Sequence, residues 1–544
     1  MAFEGGGAKG LVHVGALKAL ENRQFQFCGV AGTSAGAIIA ALKAAGYSAD
    51  EIVNPTSNST ILDRLNPRGG KAWKSTDLFG PGAWTRIKAL RTAHYISTHA
   101  SARTAFKLVA AVWLFLFCLY VVEGVATWDF NGIKEVSFWT LLLIVIGFVG
   151  IYLCSDGLAT ASTFRDQMNF LLSSRLFPDD PMRSARMGDF GKNGLPILKI
   201  VAADITTKKL RLFSSSNPDD AEIHVADAVA ASVCLPVVFK PWTIGTSRHF
   251  DGGLVSNLPV WPFDEERSLD PDALTLAITI AGNNTTNNST TPVVGWLTDT
   301  IQTTLFGSSI LNMRAVNRLE VISLPTTLNL LQFDLDRSTV STVVRDATAA
   351  AENGIDKIFE VPALCAEGAR VVQQSIHKIF ASHPFVLKDP MRVGRVRVAL
   401  AVRGEGNQRS LRLRHPVGFD NDTDEDIVLP IDCSIVGEAW QTGKPILRSR
   451  PFPSNRDLPG VQFRRIKRLF AQDIEWILAV PIYSPKGVQT GANTQISEPL
   501  FIVAVDGSAP LVRSKVIRDQ LAEAMTTSVR HFFEPLALRI EDRD

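Results

Sequence analysis

Three groups of small residues frame side chains that could carry acyl-transfer chemistry. The run Val30-Ala31-Gly32-Thr33-Ser34-Ala35-Gly36 is apolar, ends in G-x-S-x-G and continues as Ala37-Ile38-Ile39-Ala40-Ala41-Leu42. Glycines on both sides of Ser34 permit a strand-to-helix turn tight enough to hold a hydroxyl out as a nucleophile. The same pattern also suits an ordinary turn, and this stretch by itself gives the two readings equal weight. Gly5-Gly6-Gly7-Ala8-Lys9-Gly10 lies ahead of the helically spaced Leu11 to Leu20, so its backbone N–H groups collect at a helix start and suit an anion. It is not G-x-x-x-x-G-K-[ST], and an oxyanion hole is the better use. Arg248-His249-Phe250-Asp251-Gly252-Gly253 places a carboxylate on a tight turn that can push Asp251 into a site, although a D-G-G taken alone is usually only a turn. His249, two residues earlier, shares a strand face with Asp251 and is an alternative base, but a packed histidine is the commoner meaning.

These groups need a scaffold that turns strands into helices. Leu195 to Asp204 reads as a buried strand, Lys209 to Ser214 as an alternating one, Val225 to Ser232 as a short helix, and Leu235 to Phe239 as a strand. Leu274 to Ala281 reads as another buried strand and Glu320 to Pro325 as a further strand. A helical pattern follows from Val340 to Phe359, where Pro362 is expected to close the first body. Beyond 363 the pattern changes to a helix over Leu364 to Phe380 and a hairpin of Val393 to Leu400 with Leu411 to Arg414. Later strands at Trp476 to Tyr483 and Leu500 to Val505 and a terminal helix near Ile517 to Phe533 complete an antiparallel α+β module.

With 544 residues the chain exceeds one comfortable core, so several domains are expected. A net charge of +2, from 56 basic and 54 acidic residues, argues against a nucleic-acid partner held by charge. Cys28, Cys118, Cys154, Cys234, Cys365 and Cys433 form no CxxC pair and no metal-ligand spacing; neither a metal nor another cofactor is expected, and a reduced compartment fits. The opening residues carry no basic-then-apolar leader, and Asn283 to Thr291 reads as a polar loop.

One segment departs from this α/β character. Leu108 to Trp128 is apolar apart from Glu123, and Val136 to Cys154 has no charge. At about 1.5 Å per residue each approaches the roughly 30 Å of a bilayer core. Trp128 and Trp139 flank the short polar connector, and Arg91, Arg103, Lys107 and Arg165 lie at the outer ends. The expectation is a transmembrane hairpin inserted over about 106–155, with both soluble parts on the cytoplasmic side. A lid over an apolar site is the alternative.

The three glycine signals, in this order, resemble the patatin-like phospholipase family. Its glycine loop matches Gly5 to Gly10, its nucleophile elbow matches Gly32 to Gly36, and its D-G-[GA] matches Asp251-Gly252-Gly253; Ala231 to Pro236 and Asn257-Leu258-Pro259 also look like the family. The resemblance implies a three-layer α/β/α hydrolase domain over 1–360, interrupted by the hairpin. It also implies a Ser34–Asp251 dyad with no obligatory histidine. Gly5, Gly6 and Gly7 would hold the oxyanion, Lys9 would support the loop, and Gly32, Gly36, Gly252 and Gly253 would shape the turns. Over 363–544, Gly437 to Pro445, Ala479-Val480-Pro481-Ile482 and Val503 to Asp506 are similar to a GAF domain. That similarity implies a sensor that binds a small molecule or self-associates into a homo-oligomer. The expected function is a membrane-anchored lipid acyl hydrolase acting on membrane phospholipid, under GAF control, with a membrane-degrading effector as a plausible setting. A soluble carboxylesterase and a non-enzymatic membrane-tethered scaffold are the alternatives. The basic cluster Arg464 to Arg468 reads as a solvated helix face before a lipid contact.

Overall fold

The computed structural model describes residues 1–65, 73–88, 158–282 apart from 181, 237, 271 and 272, 318–404 apart from 392, 407–419, 428–452 apart from 433, 473–483 and 498–541, with isolated residues in between. The expected hairpin, the loop 283–291 and the basic cluster 464–468 lie outside the described residues. Among the described residues no helix is long and apolar enough to cross a membrane. The chain divides into two compact units, Met1–Gly354 and Ile355–Asp544.

In the first unit a very short strand, β1 (Ala2–Phe3), leads through a tight 3-10 turn over Gly7–Leu11 into helix α1 (Val12–Asn22). β2 (Gly29–Thr33) passes directly into α2 (Ala35–Ala44), and a one-turn helix α3 (Ala49–Ile52) precedes a small ribbon, β3 (Val53–Asn54) and β4 (Ser59–Thr60). Helix α4 (Ser162–Leu176) then precedes β5 (Ile197–Asp204), β6 (Lys209–Ser214), α5 (Val225–Val233), β7 (Trp242–Ile244) and β8 (Ser247–Asp251). The last elements are α6 (Asp264–Leu269), β9 (Thr275–Gly282), β10 (Leu319–Thr326) and α7 (Arg337–Ile355).

The main sheet has the order β10-β9-β1-β2-β5-β8-β7, with β6 also paired to β5. The first five strands run parallel; β9, β1, β2 and β5 are largely buried, as a sheet whose crossovers are helical requires, while the edge strand β10 buries only Ile322 and Leu324. β8 runs antiparallel to the C-terminal part of β5, with its last residue, Asp251, opposite Ala202. The described residues of 235–239 form no strand: Phe239 makes an isolated bridge to Ala159, and Leu235, Val238 and Phe239 belong to an apolar cluster with Phe79 and Phe333.

Pro362 does not end the helical run. α7 continues through a π-turn over Asp356–Glu360 into α8 (Val361–Ser382). Proline supplies no N–H and crowds the turn before it, and the wider π-turn lies immediately ahead of Pro362.

The second unit adds β11 (Val396–Gly404), β12 (Asn407–Val417), β13 (Val428–Pro430), α9 (Ile435–Thr442), β14 (Ile446–Ser449), β15 (Trp476–Ile482), β16 (Phe501–Gly507) and α10 (Lys515–Glu541). Its six-stranded sheet, β13-β12-β11-β16-β15-β14, is antiparallel throughout. One core lies between the sheet and helices α8 and α10, around Phe380, Trp476, Val503 and Phe533; a second lies under α9, around Leu411, Trp440 and Ile502. The G-x-x-x-x-x-G pattern of Gly437 to Gly443 is a capped helix. Ser434 Oγ accepts the Gly437 N–H at the start, and Gly443 closes the end at a φ of 66°. Arg397, only 2 % exposed, donates twice to Asp506 (2.8 and 2.9 Å) and lies over the ring of Phe419 at 4.2 Å.

Candidate active site

Ser34 stands at the C-terminal end of a parallel strand, at the start of α2. Its backbone is at φ 53° and ψ −124°, a conformation that a non-glycine residue adopts only when its surroundings impose it. Two contacts impose it here. The Ser34 N–H donates to Ser232 Oγ at 2.9 Å, and Ser232 Oγ in turn donates to the carbonyl of Val201 at 2.6 Å, tying the elbow to β5. The first turn of α2 also folds back so closely that a Cβ on Gly32 would stand 2.2 Å from the carbonyl oxygen of Gly36. Any side chain there would force the elbow open.

Asp251 reaches the same place from the other side of β5. Thr33 is paired with Val201, and the next residue of β5, Ala202, is paired with Asp251, so the register puts the residue after Thr33 and the end of β8 at one level. The Asp251 N–H donates to the carbonyl of Cys234 at 2.8 Å, and its Oδ1 accepts the Gly253 N–H at 2.8 Å. Gly252 comes down on β5, where a Cβ would be 2.2 Å from the carbonyl oxygen of Val201 and 3.0 Å from Thr33 Cγ2. Asp251 is wholly buried, and among the described residues Oδ2 has no hydrogen-bond partner. Burial pushes its carboxyl up to about 6, an effect that the neighbouring Ser34 hydroxyl and the Gly253 N–H only partly offset. The Ser34 hydroxyl is thus close enough to act on Asp251, while the pair falls short of full hydrogen-bond geometry. An incomplete bond of this kind is ordinary before substrate arrives.

The glycine loop closes a third side. A Cβ on Gly5 would lie 3.2 Å from Ser34 Cβ, so the loop is laid against the nucleophile. Of the three glycines expected to hold an oxyanion, Gly5 must be set aside as a donor, because its N–H already donates to the carbonyl of Asn257 at 3.0 Å. None of the hydrogen bonds among the described residues uses the N–H of Gly6 or Gly7. Gly7 has a φ of 53°, and Lys9, half-buried on the following turn, donates its N–H to the carbonyl of Gly6 at 3.0 Å. The positive charge of Lys9 bears on Glu4.

His249 is not brought to this site. It is buried against Phe213 (ring centroids 5.7 Å) and beside Asp204, its partner in the β5 register, and burial pushes its imidazole down. Four other residues support the machinery, and sequence reasoning gave none of them a role. Ser232 and Asn257 lie in stretches singled out above, but only as part of a resemblance. Glu4 is buried at the foot of the glycine loop. His13 lies beneath it, donating from Nε2 to the carbonyl of Glu4 at 2.7 Å; burial pushes its imidazole down to about 4, so it stays neutral. The directly readable signal for Glu4 is its place as the residue before three glycines; nothing local marks His13 apart from a polar side chain on the apolar face of α1.

Residues 1–264 match the model of the patatin-like phospholipases. Residues 1–264 are a patatin-like phospholipase domain. The domain is that of a lipid ester hydrolase, and the matched span contains the Ser34 elbow, the glycine loop and the Asp251 turn. A relative is the uncharacterized protein YqhO of Bacillus subtilis (strain 168), 27 % identical over 288 residues, which cover 51 % of this chain and 70 % of YqhO. Among solved structures, VipD from Legionella pneumophila aligns with a TM-score of 0.29 and 15 % identity, over 65 % of this chain and 66 % of VipD. A GAF domain/HD domain protein from Geobacter sulfurreducens aligns with a TM-score of 0.21 and 10 % identity, over 35 % of this chain and 97 % of its own.

Proposed function

We propose that this chain is a serine lipid acyl hydrolase of the phospholipase A type, working through a Ser34–Asp251 dyad. One observation carries the reading: a serine held at positive φ on an elbow shares its surroundings with a wholly buried carboxylate whose Oδ2 has no partner. In the first step Ser34 Oγ attacks the ester carbonyl carbon while Asp251 takes the hydroxyl proton. Charge builds on the carbonyl oxygen, where the N–H groups of Gly6 and Gly7 receive it. Collapse breaks the ester C–O bond, Asp251 returns its proton to the departing lysolipid alkoxide, and an acyl-enzyme remains. Water, deprotonated by Asp251, then attacks the acyl carbon, and the fatty acid leaves as Ser34 regains its proton.

A lipid suits the surroundings. Cys234, whose carbonyl holds the Asp251 N–H, belongs to an apolar cluster with Phe79, Phe239 and the half-buried Trp84, Leu235 and Phe333. The phenyl ring of Phe79 lies 5.4 Å from Phe239 and 4.9 Å from Phe333. Ser34→Ala and Asp251→Asn are each expected to abolish fatty-acid release from phosphatidylcholine and phosphatidylglycerol vesicles; release at the wild-type rate by either variant would sink the dyad.

We extend the reading to anchoring and control. The sequence of 108–154 supports a two-helix membrane anchor with both soluble domains on the cytoplasmic side, which would hold the site beside its phospholipid. Carbonate extraction at high pH tests it: an anchored protein stays in the membrane fraction, whereas a soluble esterase with a lid is released. Unrestrained hydrolysis would damage the host bilayer, so the GAF-like module is read as the regulator, through a small-molecule ligand or self-association, of a membrane-degrading effector.

A further inference from the structure

Every polar group of the Gly5 backbone is committed to one residue. Its N–H donates to the carbonyl of Asn257 at 3.0 Å, and its C=O accepts Asn257 Nδ2 at 3.1 Å. A trans peptide points its C=O and the following N–H in opposite directions. With the Gly5 carbonyl held toward Asn257, the Gly6 N–H is turned away from Asn257, and no hydrogen bond among the described residues consumes it. The Asn257 amide is itself oriented, since Nδ2 also faces Glu4 Oε1 at 3.4 Å and only the NH2 end can serve two acceptors. Glu4 is fixed in turn by the Ser309 hydroxyl, which donates to Oε1 at 2.6 Å, and by the Ile280 N–H of β9, which donates to Oε2 at 2.7 Å.

We infer that Asn257 is a positioning residue that aims the Gly6 N–H at the carbonyl oxygen under attack by Ser34, with Glu4 orienting the Asn257 amide. The inference rests on the acyl-hydrolase reading. A donor aimed where negative charge develops acts mainly in the transition state, so its misdirection lowers kcat and leaves KM nearly unchanged. A residue that merely held the fold together would not divide the two constants in this way.

Asn257→Asp keeps the side-chain shape and removes the donor. At neutral pH it sets a carboxylate against the Gly5 carbonyl and Glu4, and the peptide plane turns. The expected result is a kcat lowered roughly 10²–10³-fold, with phosphonylation of Ser34 by a fluorophosphonate probe slowed in parallel. Once protonated, the carboxyl introduced by Asn257→Asp can donate again, so the ratio of variant to wild-type kcat should rise as pH falls. Asn257→Ala should lose kcat without that recovery, and thermal melting followed on both variants separates a misaimed loop from an unfolded one. Wild-type kcat in either folded variant overturns the inference, as does a kcat ratio for Asn257→Asp that is flat with pH. Should the wild-type protein take the fluorophosphonate at Ser34 yet release no fatty acid, the lipid reading fails instead, and the labelling rates of the variants still decide the role of Asn257.

Discussion

A free aspartate, with an ordinary pKa near 4, is a poor base for a serine hydroxyl, and the position of Asp251 changes that. Burial pushes its carboxyl up to about 6, which makes the ionised form a stronger proton acceptor than it would be in water. If Asp251 is the base it must be ionised to work, so kcat/KM for ester hydrolysis should fall on the acid side with a midpoint near pH 6. The same dehydration has a consequence for stability. The folded-state pKa lies above the unfolded one, so the penalty is absent when both states are protonated, below about pH 4. It grows as pH rises through 6 and is complete above that. Asp251→Asn removes it and should therefore stabilise the protein above pH 6, by roughly 3 kcal/mol from a shift of about two units, with little change at pH 4. Urea unfolding at pH 4 and pH 8 measures both ends; equal stabilities of variant and wild type at pH 8 would mean that the carboxyl is not dehydrated. The enclosure that raises the Asp251 carboxyl is not visible in Arg248 to Gly253, because it comes from β5, α5 and the elbow, which lie elsewhere in the chain.

Elements decide whether the two groups meet. The antiparallel pairing of β8 to β5 sets Asp251 opposite Ala202, one residue beyond the pairing of Thr33 with Val201. Slipping that register by one residue would turn Asp251 to the other face of the sheet. Gly252 protects the register from above, because a methyl group there would meet the Val201 carbonyl oxygen at 2.2 Å. Gly252→Ala must displace backbone on one strand or the other, and a displacement of about 1 Å at the dyad is worth on the order of 10²-fold in rate. Vesicle hydrolysis by Gly252→Ala should fall by at least that factor, and a rate within a few-fold of wild type would show that the turn is not what places Asp251. Most strands are readable from apolar runs, and Lys209–Ser214 falls where its alternation puts it. Leu235 to Phe239 misleads because its apolar run serves a loop packed on aromatic rings; periodicity cannot tell that from a buried strand.

On the scale of the whole molecule, the candidate site residues named above all lie in Met1–Gly354, and each unit has apolar clusters of its own. A chain ending at Gly354 should therefore unfold cooperatively and still release fatty acid. If the second unit is a regulator, the basal rate of that shortened chain should differ from that of the full chain. Equal rates under all conditions would remove the regulatory reading and leave the hydrolase untouched. Composition signals two modules through the change from parallel-sheet runs to alternating strands. It places the break near Pro362, where the backbone in fact stays helical from Arg337 through a π-turn to Ser382.

The sequence by itself determined the chemistry on offer, because a nucleophile elbow and a glycine loop are made by neighbours along the chain and need particular residue types at particular spacings. It therefore named Ser34, the loop and Asp251 as candidates. Only the tertiary structure decided what each group is free to do. Whether Gly5 keeps its N–H, whether His249 reaches the serine, and how strong a base Asp251 becomes all depend on partners far along the chain or on the opposite strand: Asn257 for Gly5, Asp204 and Phe213 for His249, and the enclosing elements around Asp251. Spacing along a chain carries geometry over a few residues; dehydration and hydrogen-bond commitment are properties of the packed interior.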